Sequence, residues 1–267
     1  MTGTGSQPLA EIVCLGNELL IGVTINTNGA YLGSQLTQLG YEVRRITCIR
    51  DDLTLGVEFF QEVFSRHPDV IIVTGGLGPT YDDIQLEVIS KATGIPLVEN
   101  SEALNQIQHY YSRRNLPLSP ERRKMAYLPR TARVLSNGVG GAPGCHLIFN
   151  DMDIFCLPGV PTEMKDIFVH HIVPYLSDKV DIQIYETKFL VLNCMESQIA
   201  PYINQVKQDY PNLYIKSHPA YKDKKGIVIH ISGVGDASND HVKDASSKLQ
   251  DLFSRHVHDL VIKPFEE

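Results

Sequence analysis

Three short apolar runs alternate with two helical stretches, and the third run opens directly into a glycine-rich loop. The runs are LAEIVCL at Leu9–Leu15, a β-branched alternating stretch at 41–49, and VIIVT at Val70–Thr74. Runs of this length, bounded by Gly or polar residues, are buried strands. Between the first two, residues 26–39 place Tyr31, Leu32, Leu36 and Leu39 at helical spacing, and Gly40 stops the helix. Residues 53–64 form a second helix. A β-α-β-α-β order leaves one solution: a parallel sheet with helices on both faces, joined by right-handed crossovers.

Beyond the loop, helical periodicity runs to about Ala92. It returns over 101–126 with a break at 115–120. Two apolar runs, 146–150 and 152–157, flank Asp151 as a hairpin. LPGVPTEM at 157–164 is a further loop, and its Pro161 suits the first turn of a helix. The character changes near Ser177. A strand is expected at 182–192, a helix at 195–208, strands at 212–217 and 226–233, and a helix at 240–256. YKDKKG at 221–226 is a polar turn between the last two strands. With 267 residues, the chain accommodates two domains. The expectation is a three-layer α/β/α domain with a mainly parallel sheet over 8–176, then a small α+β domain over 177–267.

Charge and cysteines narrow the function. The chain has 24 basic and 31 acidic side chains, a net charge of −7. General nucleic-acid binding needs a basic footprint, so that class is excluded; a local basic pocket for a phosphate is not. Cysteines stand at 14, 48, 145, 156 and 194, with no CxxC pair. They fit buried thiols in a reducing compartment. The first residues show no basic and apolar leader pattern, and no apolar run reaches the ~20 residues of a membrane helix. A cytoplasmic protein without a membrane partner is expected.

The chemistry concentrates at the strand ends. In Thr74-Gly75-Gly76-Leu77-Gly78-Pro79-Thr80 the glycines Gly75, Gly76 and Gly78 allow an anion to approach the backbone. The following helix adds positive potential. The sequence is neither GxxxxGK[ST] nor GxGxxG, and a tight turn alone would also use these glycines. Asp82 and Asp83 sit where an N-cap would sit. Beside a phosphate they also suit a hard cation such as Mg²⁺, or could orient a water. Asp52, after the second strand, is either a helix cap or a metal or hydroxyl ligand. Glu18, polar between apolar neighbours at a strand end, points to a site role. Asn137-Gly138-Val139-Gly140-Gly141-Ala142-Pro143-Gly144 is a second glycine-rich loop, and 157–164 is a third. Three such loops can enclose one ligand, and each could equally be turn chemistry. The basic run Arg113, Arg114, Arg122, Arg123 and Lys124 is expected to be a solvated face.

Assembled, GNELLIG (16–22), NTN (26–28), TGGLGPTYDD (74–83), LP (128–129), NGVGGAPG (137–144) and LPGVPTEM (157–164) resemble the CinA-like proteins of the MoaB/Mog molybdopterin-binding superfamily. The resemblance covers about residues 10–175. It implies a ligand that is a nucleotide or a pterin phosphate, a divalent metal (Mg²⁺, Mn²⁺ or Co²⁺) and a homo-oligomer. It carries Gly75, Gly76, Gly78 and Thr80 onto a phosphate site, and Asp52, Asp82 and Asp83 onto a metal site. Asn17, Glu18, Asn28, Pro143, Gly144, Gly159 and Glu163 stand at motif positions, with Glu18 or Glu163 available to position a water. Two chemistries follow: metal-dependent hydrolysis of a nucleotide pyrophosphate such as ADP-ribose or FAD, or molybdopterin binding with adenylyl transfer. A non-catalytic nucleotide-binding domain is the third reading. It is motivated by departures from the pattern: Gln85 and Gly141 stand where Thr is usual, and Cys145 where an aromatic is common.

Overall fold

Strands β1 (Leu9–Leu15) and β3 (Val70–Thr74) lie side by side at the buried centre of a six-stranded sheet. The order is β2 (Glu42–Ile49), β1, β3, β8 (Met152–Leu157), β7 (Gly144–Phe149), β6 (Arg133–Leu135). The first four are mutually parallel, and the β6 and β7 edge is antiparallel. This computed structural model describes residues 7–219, 226–235 and 238–265.

Period-2 alternation sends each strand's side chains to opposite layers. From β1, Val13 and Leu15 enter one apolar cluster, while Ala10, Ile12 and Cys14 enter the other. The first cluster packs against α3 (Leu53–Ser65), α4 (Gln85–Thr93) and α5 (Ser101–Ser112). The second packs against α2 (Thr27–Gln38) and α7 (Pro161–Ile167). That makes three layers. Glu11 is the polar intruder in β1. Arg66 neutralises it with two hydrogen bonds of 2.7 Å, one to each carboxylate oxygen.

The β7–β8 turn is the expected hairpin. Asn150 and Asp151 both have positive φ, 48° and 63°, as a type I′ turn requires. After α7 the chain widens into a π turn at Phe168–Ile172 before α8 (Val173–Ser177). Pro174 cannot donate to the helical ladder and its ring crowds the preceding turn, which the wider turn relieves.

Differences from the sequence reading are local. The helix after the glycine loop begins at Gln85, not near Asp82. A short ribbon of β4 (Leu97–Glu99) and β5 (Tyr127–Pro129) was not anticipated. The helical region over 101–126 resolves into α5 and α6 (Pro120–Lys124).

The chain divides into two compact units at 181/182. The second contains β9 (Ile184–Leu192), α9 (Glu196–Asp209), β10 (Tyr214–Pro219), β11 (Ile227–Val234), α10 (Ser238–His256) and β12 (Val261–Pro264). Its antiparallel sheet runs β10-β11-β9-β12, a split β-α-β arrangement. β12, an edge strand, escaped the sequence reading. The polar turn expected at 221–226 lies outside the described residues apart from Gly226. Among the described residues, no helix is long and apolar enough to cross a membrane.

Candidate functional site

The strand order reverses between β1 and β3, because the chain goes from β1 to one side and returns to the other. Open α/β sheets place ligands at such a switch, beyond the carboxyl ends of the strands. A cavity of about 460 Å³ lies there, lined by residues 26–28, 74–80 and 158–161 and by Glu18, Asp51, Asp82, Asp83 and Glu163. Its size is that of a small-molecule site.

The glycine loop is clasped from below. Gly75 has φ +96°, and a Cβ there would lie 2.1 Å from the Leu15 carbonyl oxygen, so only glycine fits. Gln85 is fully buried beneath the loop. Its Nε2 donates to the Gly75 carbonyl (2.5 Å) and the Leu157 carbonyl (3.2 Å). The departure at Gln85 therefore changes the loop's support and not the surface the ligand meets. Two further loops are tied to the same point. The Thr74 hydroxyl donates to the Pro158 carbonyl (2.8 Å), and Asn28 Nδ2 donates to Thr74 Oγ1 (3.1 Å) and the Gly159 carbonyl (2.8 Å). The other Asn28 amide atom, Oδ1, is buried without a donor.

The carboxylates are arranged around that loop. The Asp83 carboxylate accepts from the Thr80 amide (2.8 Å) and Thr80 hydroxyl (2.6 Å), and Thr80 Oγ1 also contacts Asp82 Oδ1. That contact holds the Asp82 carboxyl below its ordinary range. Neither acid caps α4, whose N-cap residue is Ile84. Lys124 Nζ fixes the same turn by donating to the Thr80 (3.0 Å) and Asp83 (2.6 Å) carbonyls. The Asp51 carboxylate, which lines the same cavity, accepts from the Asn17 amide (2.9 Å). Burial, then the charges of Glu18, Asp82 and Asp83, push the Asp51 carboxyl up. Such mutual repulsion between acids is relieved by a cation. Among the described residues, no group of three or more His, Cys, Asp or Glu side chains is placed to hold a metal. The donor set fits a hard cation that takes one or two carboxylates here and its remaining oxygens from phosphate and water.

Glu163 also lines the cavity. Its Oε2 accepts from Asn137 Nδ2 at 2.6 Å, yet burial keeps its carboxyl above the usual range. Asn137 is the hub of the second loop. Its Nδ2 also donates to the Ala142 carbonyl (2.8 Å), and its Oδ1 accepts from the Val139 (3.1 Å) and Gly140 (2.7 Å) amides.

The fold thus brings Glu18, Asn28, Gly75, Gly76, Gly78, Thr80, Asp82, Asp83, Gly159 and Glu163 to one cavity. Four expected residues stay outside its lining. Asp52 caps α3, accepting from the Leu55 amide at 3.0 Å, and Asp51 takes its place at the cavity. Asn17 contributes its backbone amide to Asp51. Gly144 serves strand packing: a Cβ there would lie 2.8 Å from the Cys156 carbonyl oxygen. Pro143 is buried beside it. Cys145 pairs in register with Cys156 inside the core, away from the ligand space. Sequence reading missed Asp51, Asn137 and Lys124. The rule that an N-cap directly precedes the first periodic apolar residue would have assigned Asp52 to Leu53, freeing Asp51.

The sequence profile of the family described as "Probable molybdopterin binding domain" matches residues 11–178, which include every residue of this cavity. The chain belongs to this family. Its likeness to CinA makes it a CinA-like member. A Saccharolobus islandicus protein is 41% identical over 241 residues, covering 90% of this chain and 91% of that one. A Sulfolobus acidocaldarius protein is 43% identical over 226 residues, covering 84% and 85%. The crystal structure of "the protein CinA with unknown function" from Thermoplasma acidophilum is 38% identical, with a TM-score of 0.57. It covers 60% of this chain and 94% of that one. The family's three-layer architecture with a mostly parallel sheet is the one described above.

Proposed function

We propose that the cleft binds a phosphorylated heterocycle and, with a divalent cation, hydrolyses a phosphate anhydride in a nucleotide pyrophosphate such as ADP-ribose or FAD. One observation carries this: the side-chain-free backbone of the 75–78 loop shares a single cavity with Asp51, Asp82 and Asp83. Phosphates beside carboxylates repel unless a cation lies between them, so the two features make sense together only with Mg²⁺, Mn²⁺ or Co²⁺. Asp51 with Asp82 or Asp83 would hold that cation, which when bound neutralises phosphate charge and polarises a phosphoryl oxygen. Asn28, with an orphaned acceptor, suits a ligand N–H or O–H. Glu163, half-buried and with a raised pKa, suits a base that orients water.

Family membership favours a second reading, in which the ligand is molybdopterin and the reaction an adenylyl transfer from ATP. AMP release from ADP-ribose, FAD, NAD and ATP, with each cation and with EDTA, separates the two. Metal-dependent release that disappears in the Asp82→Ala/Asp83→Ala variant is the expected result. A flat panel with tight binding of a pterin phosphate establishes the second reading. A flat panel without such binding refutes both.

A further inference from the structure

A second cavity, of about 500 Å³, adjoins the cleft and has the opposite charge. One wall is a face of α5 and its C-terminal turn. Gln106, His109, Tyr110 and Arg113 stand at helical spacing on it, and Arg114 ends the row. The other wall is the backbone of the 137–140 loop, held open by Asn137 and by Gln106, whose Oε1 accepts from the Asn137 amide at 3.2 Å. Among the described residues, no Asp or Glu lines this cavity, and the two carboxylates nearest the loop are held behind it, Asp166 accepting from the Gly138 amide (2.7 Å) and Glu163 from Asn137 Nδ2 (2.6 Å). Two arginines and a histidine converge on it in a chain of net charge −7. Both arginines are exposed, as the solvated face expected from the sequence requires.

Tyr110 lines both cavities. Arg114 stacks on it, its guanidinium carbon 3.6 Å from the ring centroid, and its Nη1 donates to the Tyr110 carbonyl (3.0 Å). Those contacts fix the guanidinium before any ligand arrives. Gly141 makes the arrangement possible. A Cβ at that position would stand 3.0 Å from the Tyr110 ring and 3.2 Å from the Tyr111 hydroxyl. A side chain at this position would press on the aromatic wall between the cavities.

We propose that this second cavity is a phosphate subsite. The ligand of the cleft then carries another phosphate, on a ribose hydroxyl outside the anhydride, seated against Arg113 and Arg114 with the ligand body crossing Tyr110. Guanidinium forks match the geometry of a phosphate dianion and favour it over a hydroxyl. The inference rests on the cleft being a nucleotide site, and matched ligand pairs keep the two claims separable. Isothermal titration, with Ca²⁺ in place of the cations that support turnover and the ligands checked for integrity afterwards, compares NADP with NAD, ADP-ribose 2′-phosphate with ADP-ribose, and coenzyme A with its dephospho form. In at least one pair the phosphorylated member should bind about tenfold tighter, the value of one charge-assisted contact. Arg113→Ala, at an exposed position, should remove that preference, and Arg113→Lys should restore part of it. Equal affinities within every pair, or equal weakening of both members by Arg113→Ala, overturn the subsite and leave the cleft reading standing. Failure of every member to bind overturns both.

Discussion

Replacing Asn137 by Ala removes a side chain that makes four hydrogen bonds and holds the Glu163 side of the cleft. Two of its partners, the Gly140 amide and the Ala142 carbonyl, are buried. Each loses its partner where water enters poorly, at about 1–3 kcal/mol per orphaned group. Val139 is exposed, so its amide turns to solvent at little cost. The sum is about 2–6 kcal/mol, or a fall in melting temperature of roughly 5–20 °C for a unit of this size. Glu163 also loses the donor that opposes its burial, so its carboxyl pKa should rise further. Asn137→Asp separates the effects. It keeps an acceptor for the loop amides but sets a second carboxylate 2.6 Å from Glu163 Oε2. That variant should be more damaged at neutral pH than in acid, where one proton can be shared. Urea unfolding by circular dichroism gives the stability, and carbon-detected titration of the Glu163 carboxyl gives the pKa. A loss under about 0.5 kcal/mol in the Ala variant, with Glu163 unmoved, would refute the hub.

Gly75→Ala combines a left-handed backbone with a clash against the Leu15 carbonyl. It should cost at least about 2 kcal/mol in thermal unfolding, and an unchanged melting temperature would contradict the loop geometry. Asp51 and Glu163 both have raised carboxyl pKa values, so the folded state holds these protons more tightly than the unfolded state. The resulting stability is present below the ordinary carboxylate pKa and is lost as pH rises through the folded values. A divalent cation favours the ionised forms, so its thermal stabilisation should be large near neutral pH and small near about pH 4.5; a pH-independent shift would count against it. Burial raises the Cys14 thiol to about 11, opposed only in part by the Asn26 amide. Although it lines the cleft, Cys14 should resist iodoacetamide at neutral pH, as read by mass spectrometry.

The sheet was legible because β1 and β3 are short unbroken apolar runs and the intervening helices carry 3.6-residue spacing. Strands buried on both faces announce themselves in this way. β12 and the β4–β5 ribbon did not. They are three or four residues long, β4 is half-buried and β12 mostly exposed, and even β5, buried at Leu128 and Pro129, has its pairing set by tertiary contacts. At the site, glycines and paired acids were visible as types, but their directions were not. Asp51 and Asp52 are neighbours in sequence, and the start of α3 turns one into a cap and the other into a cavity wall. Asn137 and Lys124 lie 26 and 41 residues from the groups they hold, Glu163 and Asp83. No local pattern encodes such pairings. Gln85 stands out in the sequence only as a departure from the family pattern, whereas in the fold it is the buried clasp of the loop. Arg113 and Arg114 are exposed, as their run of basic residues suggests, and only the fold sets the 137–140 backbone beside them.

The most direct test of the cleft is a crystal of the chain with Mn²⁺ and ADP, examined at a wavelength where manganese scatters anomalously. The account predicts one anomalous peak between Asp51 and the Asp82–Asp83 turn, with the ligand's phosphate against the 75–78 backbone. Manganese bound elsewhere, or ADP seated away from that loop while the cleft stays accessible, would contradict it.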